Sequence, residues 1–166
     1  MKAHTIIDSP LGELTLVNTD GVLSGLYMER TRRLAQASLG QRTGTGFERA
    51  TEQLHEYFSG QRTWFDIPLA AVGGVFDRRV WDVVSRIPYG QTRSYAQVAG
   101  ELGERDWEVV RAVGAANGRN PICIVIPCHR VIGSDGSLTG YAGGLPRKEY
   151  LLALENPARL TAPALF

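Results

Sequence analysis

A cysteine and a histidine stand side by side, Cys128-His129, inside the stretch Ile126-Pro127-Cys128-His129-Arg130-Val131. Once ionised, cysteine is the strongest nucleophile among the side chains. A free thiol has a pKa of about 8.5, so a neighbouring base is the usual means of raising its thiolate fraction at neutral pH. An apolar run, Ile122-Cys123-Ile124-Val125-Ile126, leads into the pair, and a glycine-rich segment leaves it. A buried run closed by a proline puts the next side chain at the edge of a core, where a pocket can form. Taken alone, a Cys-His dipeptide is more often a small buried hydrophobe beside a satisfied core histidine than a catalytic pair. The surrounding elements decide between the two.

The chain has 166 residues, enough for one large domain or two small ones. No apolar run is long enough to span a membrane, and Met1-Lys2-Ala3-His4 lacks the core of a signal peptide, so a cytoplasmic protein is expected. If the segment joining Cys123 and Cys128 is extended, a disulfide between them would be strained. Neither cysteine has zinc spacing, and His4 and His55 have no cysteine neighbours, so no metal is expected. The net charge of +1 does not announce nucleic acid. Lys2 and Lys148 apart, the basic residues are arginines, which suit phosphate and base contacts.

Residues 4–8, 13–17 and 22–28 read as strands separated by Ser9-Pro10-Leu11-Gly12 and Thr19-Asp20-Gly21, an antiparallel hairpin or meander. Residues 31–46 lack a period and read as a loop or weak helix. Phe47, Ala50, Leu54, Tyr57 and Phe58 recur at helical spacing before Gly60, and residues 64–69 read as one more strand. Residues 1–72 are thus expected to form a small α/β scaffold carrying no chemistry of its own, and residues 73–166 a mainly helical second domain. Its first helix presents Phe76, Val80, Trp81, Val84 and Ile87. Thr92 or Ser94 can cap a second, with Tyr95, Val98, Ala99 and Leu102 inward and Gly103 as its stop. Asp106 can cap a third, through Val110, Val113 and Gly114 to about Asn117.

The last two are the outline of a helix-turn-helix, whose second helix meets DNA. That helix carries Arg111-Ala112-Val113-Gly114-Ala115-Ala116, small residues that permit close approach to a groove or, equally, to another helix. Residues 131–145 read as a wing or loop beside the pocket. Pro146 can open a last helix, with Tyr150, Leu151, Leu152 and Leu154 inward and Glu155 at its end. The tail, 156–166, carries no signal.

From Ile87 to Glu155 the chain resembles the C-terminal domain of the O(6)-alkylguanine-DNA alkyltransferases, also called methylated-DNA–protein-cysteine methyltransferases. The resemblance rests on Ile87-Pro88-Tyr89-Gly90, Ser94-Tyr95, Arg111-Ala112-Val113-Gly114, Asn120-Pro121, Ile126-Pro127-Cys128-His129-Arg130-Val131-Ile132-Gly133, Leu138-Thr139-Gly140-Tyr141-Ala142-Gly143-Gly144, and Leu151-Leu152 with Glu155. It implies a ribonuclease-H-like N-terminal domain, with a small antiparallel sheet plus helix, before a winged-helix-like C-terminal one. Between the two helices the chain departs from the family's short Gly-x-Pro turn. Its turn is longer, lacks proline and carries Glu104, Asp106 and Glu108, which would repel phosphates.

The resemblance implies a self-inactivating DNA-repair reaction in which Cys128 accepts an alkyl group from O(6)-alkylguanine in double-stranded DNA, O(4)-alkylthymine being a further candidate substrate. His129 would draw the thiol proton through a water, Glu155 would fix the tautomer of His129, and Asn120 would tie the preceding turn. Tyr95 would push on the target phosphate and Arg111 would fill the gap in the stack, with Ser94, Ala112, Gly114 and Arg130 beside the DNA, approached through its minor groove. Tyr141, with Val131, Ala142 and Gly143, would line the guanine pocket. Direct displacement at carbon needs an ionised sulfur, and the target atom must be flipped out of the duplex. The thioether product is stable, so no cofactor is expected. The expected partner is DNA, with no membrane, and the expected state a monomer, cooperative assembly on DNA being left open. A non-enzymatic lesion binder of the alkyltransferase-like kind would lack the acceptor cysteine. A thiol hydrolase would need an oxyanion hole, and no helix N-terminus is read after Cys128.

Overall fold

A computed structural model describes residues 1–161. β1 (Lys2–Ile7), β2 (Leu14–Thr19) and β3 (Val22–Met28) form an antiparallel meander. Leu14, Leu16, Leu26 and Met28 are buried from it. Residues 31–46, read as a loop or weak helix, hold a short helix and a two-residue strand. Thr31 caps α1 (Arg32–Gln36) by accepting from the Leu34 N–H at 3.3 Å, and β4 (Gln41–Arg42) then joins the sheet parallel to β1. The sheet order is β3-β2-β1-β4. α2 (Glu48–Phe58) buries Ala50, Leu54 and Tyr57 in the common core.

The expected strand at 64–69 does not form. Pro68 has no N–H to give a ladder, and the Gln53 side chain takes the place of a partner strand. It accepts from the Asp66 N–H at 2.9 Å and donates to the Asp66 carbonyl at 3.3 Å. Only Leu69 bridges the sheet, at Leu23.

α3 (Val75–Ser85) buries Val80, Trp81 and Val84. β5 (Arg93–Ser94) leads into α4 (Tyr95–Glu101), and Ser94 rather than Thr92 is the cap. Its hydroxyl accepts from the Gln97 N–H at 3.0 Å while the Gln97 side chain accepts from the Ser94 N–H at 2.8 Å. Gly103, at φ +84°, lets the chain leave α4, and Asp106 caps α5 (Trp107–Gly118) through the Glu108 N–H at 2.9 Å. Trp81 fastens α3 to α5, its indole donating to the Ala116 carbonyl at 2.9 Å.

The apolar run 122–126 is not extended. The Ile126 N–H donates back to the Ile122 carbonyl at 3.0 Å, the Val125 N–H to the Cys123 carbonyl at 2.8 Å, and Ile124 takes φ +72°, costly for a β-branched residue. β3 holds the start of this double turn. The Leu26 N–H donates to the Pro121 carbonyl at 2.9 Å and the Cys123 N–H to the Leu26 carbonyl at 3.4 Å. Beyond it, β6 (Val131–Ile132) pairs parallel to β5, which sets the residues after Cys128 against the start of the helix-turn-helix. α6 (Leu145–Glu155) follows, with Pro146 in its first turn. Its inward stripe is Lys148, Leu151, Leu152 and Glu155; Tyr150, expected inward, lies off that stripe and is 38% exposed. α7 (Ala158–Thr161) ends the described chain, and the rest of the tail lies outside the described residues.

Candidate active site

Cys128 opens a single 3₁₀ turn, Cys128–Arg130, and is 3% exposed. Two asparagines shape the backbone beneath it. Asn120 accepts from the Ile122 N–H at 2.9 Å and donates to the Ile126 carbonyl at 2.8 Å, standing in for a strand partner. Asn117, at the end of α5, donates to the Cys128 carbonyl at 3.1 Å. The neighbouring Cys123 thiol lowers the pKa of Cys128. Burial opposes this, while Asn120 and the positive charge of Lys148 add to the lowering.

His129 is wholly buried, and its Nε2 lies 2.7 Å from Glu155 Oε2. Burial pushes its pKa below the usual value, although Glu155 pulls the other way. The ring is therefore neutral at pH 7. Facing an ionised carboxylate, Nε2 carries the proton and donates, which leaves the lone pair on Nδ1. Nδ1 is buried and has no hydrogen-bond partner among the described residues.

Glu155 is the hub of the site. Its Oε1 accepts from Arg130 Nε at 2.7 Å, and its Oε2 accepts from Arg130 Nη2 at 2.9 Å and from the Tyr57 hydroxyl at 2.6 Å. Burial works against the carboxylate, but the hydrogen bonds of His129 and Arg130 and the charge of Arg130, joined in acid by that of protonated His129, outweigh it and hold Glu155 at about 2.

Arg130 was expected at the DNA surface, and the structure corrects this. It is 7% exposed, donates to the Ile87 carbonyl at 2.7 Å and lies over the Tyr89 ring. A buried carboxylate needs a counter-charge, and Arg130 is that charge.

A cavity of about 200 Å³ opens beside Cys128, bounded by Tyr95, Asn120, Cys123, Tyr141 and Ala142. The Tyr141 hydroxyl and Asn117 Oδ1 are buried there with no hydrogen-bond partner among the described residues, unusual for polar atoms unless a ligand or water completes them. Burial, then the nearby Cys128, raises the Tyr141 pKa well above its usual value, so the phenol stays a proton donor. Two residues expected in the pocket lie elsewhere. Val131 is fully buried and its carbonyl accepts from Lys148 Nζ at 2.7 Å. Gly143 lies behind Tyr141, where a Cβ would collide with Met28 Sδ and the Tyr141 ring.

On the helix-turn-helix side, the Tyr95 hydroxyl donates to the Thr139 carbonyl at 3.0 Å, fastening α4 to the loop that carries Tyr141. Gly114 passes under the Tyr95 ring, where a Cβ would lie 3.7 Å from it, ordinary contact. Gly114 thereby lines the cavity. Arg111 is exposed on α5, Ala112 is half-buried, and the Ser94 hydroxyl is engaged as the cap of α4.

Four residues of the site were not singled out for chemistry. Tyr57 gave only a helical apolar signal. Asn117 read as the end of a helix, and Cys123 as a core thiol. Lys148 carried a usable signal, since a lysine on the stripe of Leu151, Leu152 and Glu155 must be buried and satisfied. It donates to the Thr139 carbonyl at 3.1 Å as well as to Val131, and burial lowers its pKa to about 8 against the pull of Cys128.

The family model described as "6-O-methylguanine DNA methyltransferase, DNA binding domain" matches residues 75–157, and the one described as its ribonuclease-like domain matches residues 2–71. A methylated-DNA–protein-cysteine methyltransferase of Mycolicibacterium paratuberculosis is 50% identical, over 97% of this chain and 98% of its own. The crystal structure of the Mycobacterium tuberculosis O6-methylguanine methyltransferase superposes with a TM-score of 0.86 at 45% identity, covering 99% of this chain and 97% of that one. The M. tuberculosis protein in complex with DNA gives the same TM-score and identity over 93% of each chain.

Proposed function

The chain belongs to the 6-O-methylguanine DNA methyltransferase family, and on that premise we propose that it repairs DNA by moving the alkyl group of O(6)-alkylguanine onto its own Cys128. The observation that carries the assignment to these residues is the buried chain Arg130–Glu155–His129 beside a cysteine in a cavity with unpartnered polar atoms. Neutral His129 takes the Cys128 proton at Nδ1, through a water, while Glu155 keeps Nε2 protonated and the ring in place. The thiolate attacks the alkyl carbon, the carbon–O(6) bond breaks, and the electron pair goes to the guanine oxygen. Tyr141, held in its protonated form, donates a hydrogen bond to that oxygen as charge develops, and the proton taken from Cys128 passes back to the guanine, leaving the base and His129 neutral. The thioether is stable, so each molecule reacts once and no cofactor is consumed.

The reacting atom lies inside a duplex, and flipping costs a few kcal/mol of pairing and stacking. Exposed Arg111 enters the stack from the minor groove to offset part of that cost, and Tyr95 and Gly114 form the cavity wall that receives the base. Each copy works alone at its lesion, in the cytoplasm, where thiols stay reduced. Among the described residues no helix is long and apolar enough to cross a membrane. A lesion binder without chemistry is disfavoured by Cys128 itself.

The test is intact-protein mass after mixing with a duplex carrying one O(6)-methylguanine, followed by peptide mapping. One added methyl on the peptide holding Cys128, with guanine restored, is the expected result. An unmodified protein, or a methyl on another residue, overturns the assignment.

A further inference from the structure

Cys123 has no part in the reaction as written above, yet it is buried beside Cys128 and lines the same cavity. The juxtaposition is built in. Four residues separate the two cysteines in the chain, and the double turn at 122–126, with Ile124 at φ +72°, folds one back toward the other. Asn120 closes that turn from within, and the Leu26 carbonyl of β3 holds the Cys123 N–H at 3.4 Å. A backbone strained at a β-branched residue is kept only where the surroundings enforce it.

We propose that Cys123 is a positioning residue for the transfer: its S–H donates a hydrogen bond to the Cys128 sulfur and stabilises the thiolate that attacks the alkyl carbon. The proposal rests on Cys128 being the acceptor. Cys123 keeps its proton throughout, because the bond to Cys128 and then burial push its pKa well above the usual thiol value. Other groups facing the pair are Lys148 from α6, Arg33 from α1, Tyr27 from β3, and Tyr141. Lys148 alone among these favours a charge on Cys128; Cys123 supplies the directed donor.

The contact acts unequally along the reaction. A thiolate is a strong acceptor, whereas the thioether product accepts only weakly. A hydrogen bond that lowers a thiol's pKa raises its thiolate fraction at neutral pH but makes each thiolate somewhat less nucleophilic. Loss of the bond therefore has opposite effects at the two ends of the pH range, a signature that damage to packing does not produce.

The experiment compares wild type, Cys123→Ala and Cys123→Ser for transfer from the O(6)-methylguanine duplex, from mildly acidic to alkaline pH. Thiolate ultraviolet absorbance is titrated in parallel without DNA, with Cys128→Ser as the blank. In Cys123→Ala the midpoint should move up by about one pH unit, with transfer slowed several-fold at neutral pH. Its alkaline plateau should equal or exceed that of wild type, by up to about threefold. Cys123→Ser, which keeps a donor, should lie nearer wild type. An unchanged midpoint, or equal losses for both variants at every pH, would overturn the proposal. If wild type fails to acquire a methyl, the acceptor assignment falls, and the absorbance midpoint still decides whether Cys123 tunes Cys128.

Discussion

Arg130 grips Glu155 with two hydrogen bonds below the surface, Nε to Oε1 at 2.7 Å and Nη2 to Oε2 at 2.9 Å. This pairing decides the state of the histidine beside it. Glu155 already has a cation, so burial keeps His129 neutral and its Nδ1 lone pair is free to take a proton.

Arg130→Met should turn His129 into the missing counter-ion. Its pKa should rise, and at neutral pH it would arrive already protonated, unable to act as a base. Loss of one partner of a buried pair also costs about 3–5 kcal/mol. The expected outcome is a lower melting temperature together with a rate profile displaced to higher pH. A destabilised variant with an undisplaced profile would restrict Arg130 to holding the fold.

Tyr57 reaches Glu155 from the first half of the chain, and Tyr57→Phe removes only that 2.6 Å bond. A hydrogen bond to a charged group contributes about 1.5–3 kcal/mol. Chemical denaturation should show a loss of that size, with a slower transfer that survives. Stability equal to wild type would mean the hydroxyl is replaced by water.

Arg111 is exposed on α5, away from the relay. Arg111→Ala should weaken reaction with the alkylated duplex by tenfold or more (about 1.4 kcal/mol) and leave reaction with free O(6)-alkylguanine unchanged. Equal losses on the two substrates would make Arg111 a structural residue.

Acid should unfold the protein in two stages. His129 has a depressed pKa in the fold, so below about 6.5 the unfolded chain takes up a proton that the native site resists, and stability falls. Glu155 is depressed to about 2. Its stabilisation is complete above the ordinary glutamate value of about 4.3 and is lost as pH falls through about 2. Melting temperatures taken across this range should decline below neutrality and steepen below about 4.3. A flat curve would show that neither group is perturbed.

Lys148 works in the opposite window. With a folded pKa of about 8 and an unfolded one of about 10.4, the unfolded chain holds the extra proton between them, so this group makes stability rise with pH there. Lys148→Met should abolish that rise. It should also slow transfer, because the Val131, Thr139 and Gly140 carbonyls lose the ammonium that ties them together, Thr139 keeping only the Tyr95 hydroxyl. Full activity in the variant would remove the lysine from the site.

Much of this protein is local and could be read from its sequence. Turn residues marked off β1 to β3, and helical spacing marked α2, α3 and α6. Thr92 or Ser94, and Asp106, signal helix starts because capping is a short-range hydrogen bond. Cys128, His129, Asn120 and Glu155 stood out through motif resemblance. Other features depend on contacts between distant residues. The run 122–126 shows in the sequence only that it is apolar; Asn120 and β3 bend it into a double turn that sets Cys123 on the same cavity as Cys128. Arg130 looks like a DNA contact until Glu155, 25 residues away, claims it. Tyr57 is 98 residues from the carboxylate it serves. Periodicity reports which face of an element is buried, but not what lies opposite. A buried charge is settled by whichever partner packing delivers, so the electrostatics of this site were decided by the tertiary fold.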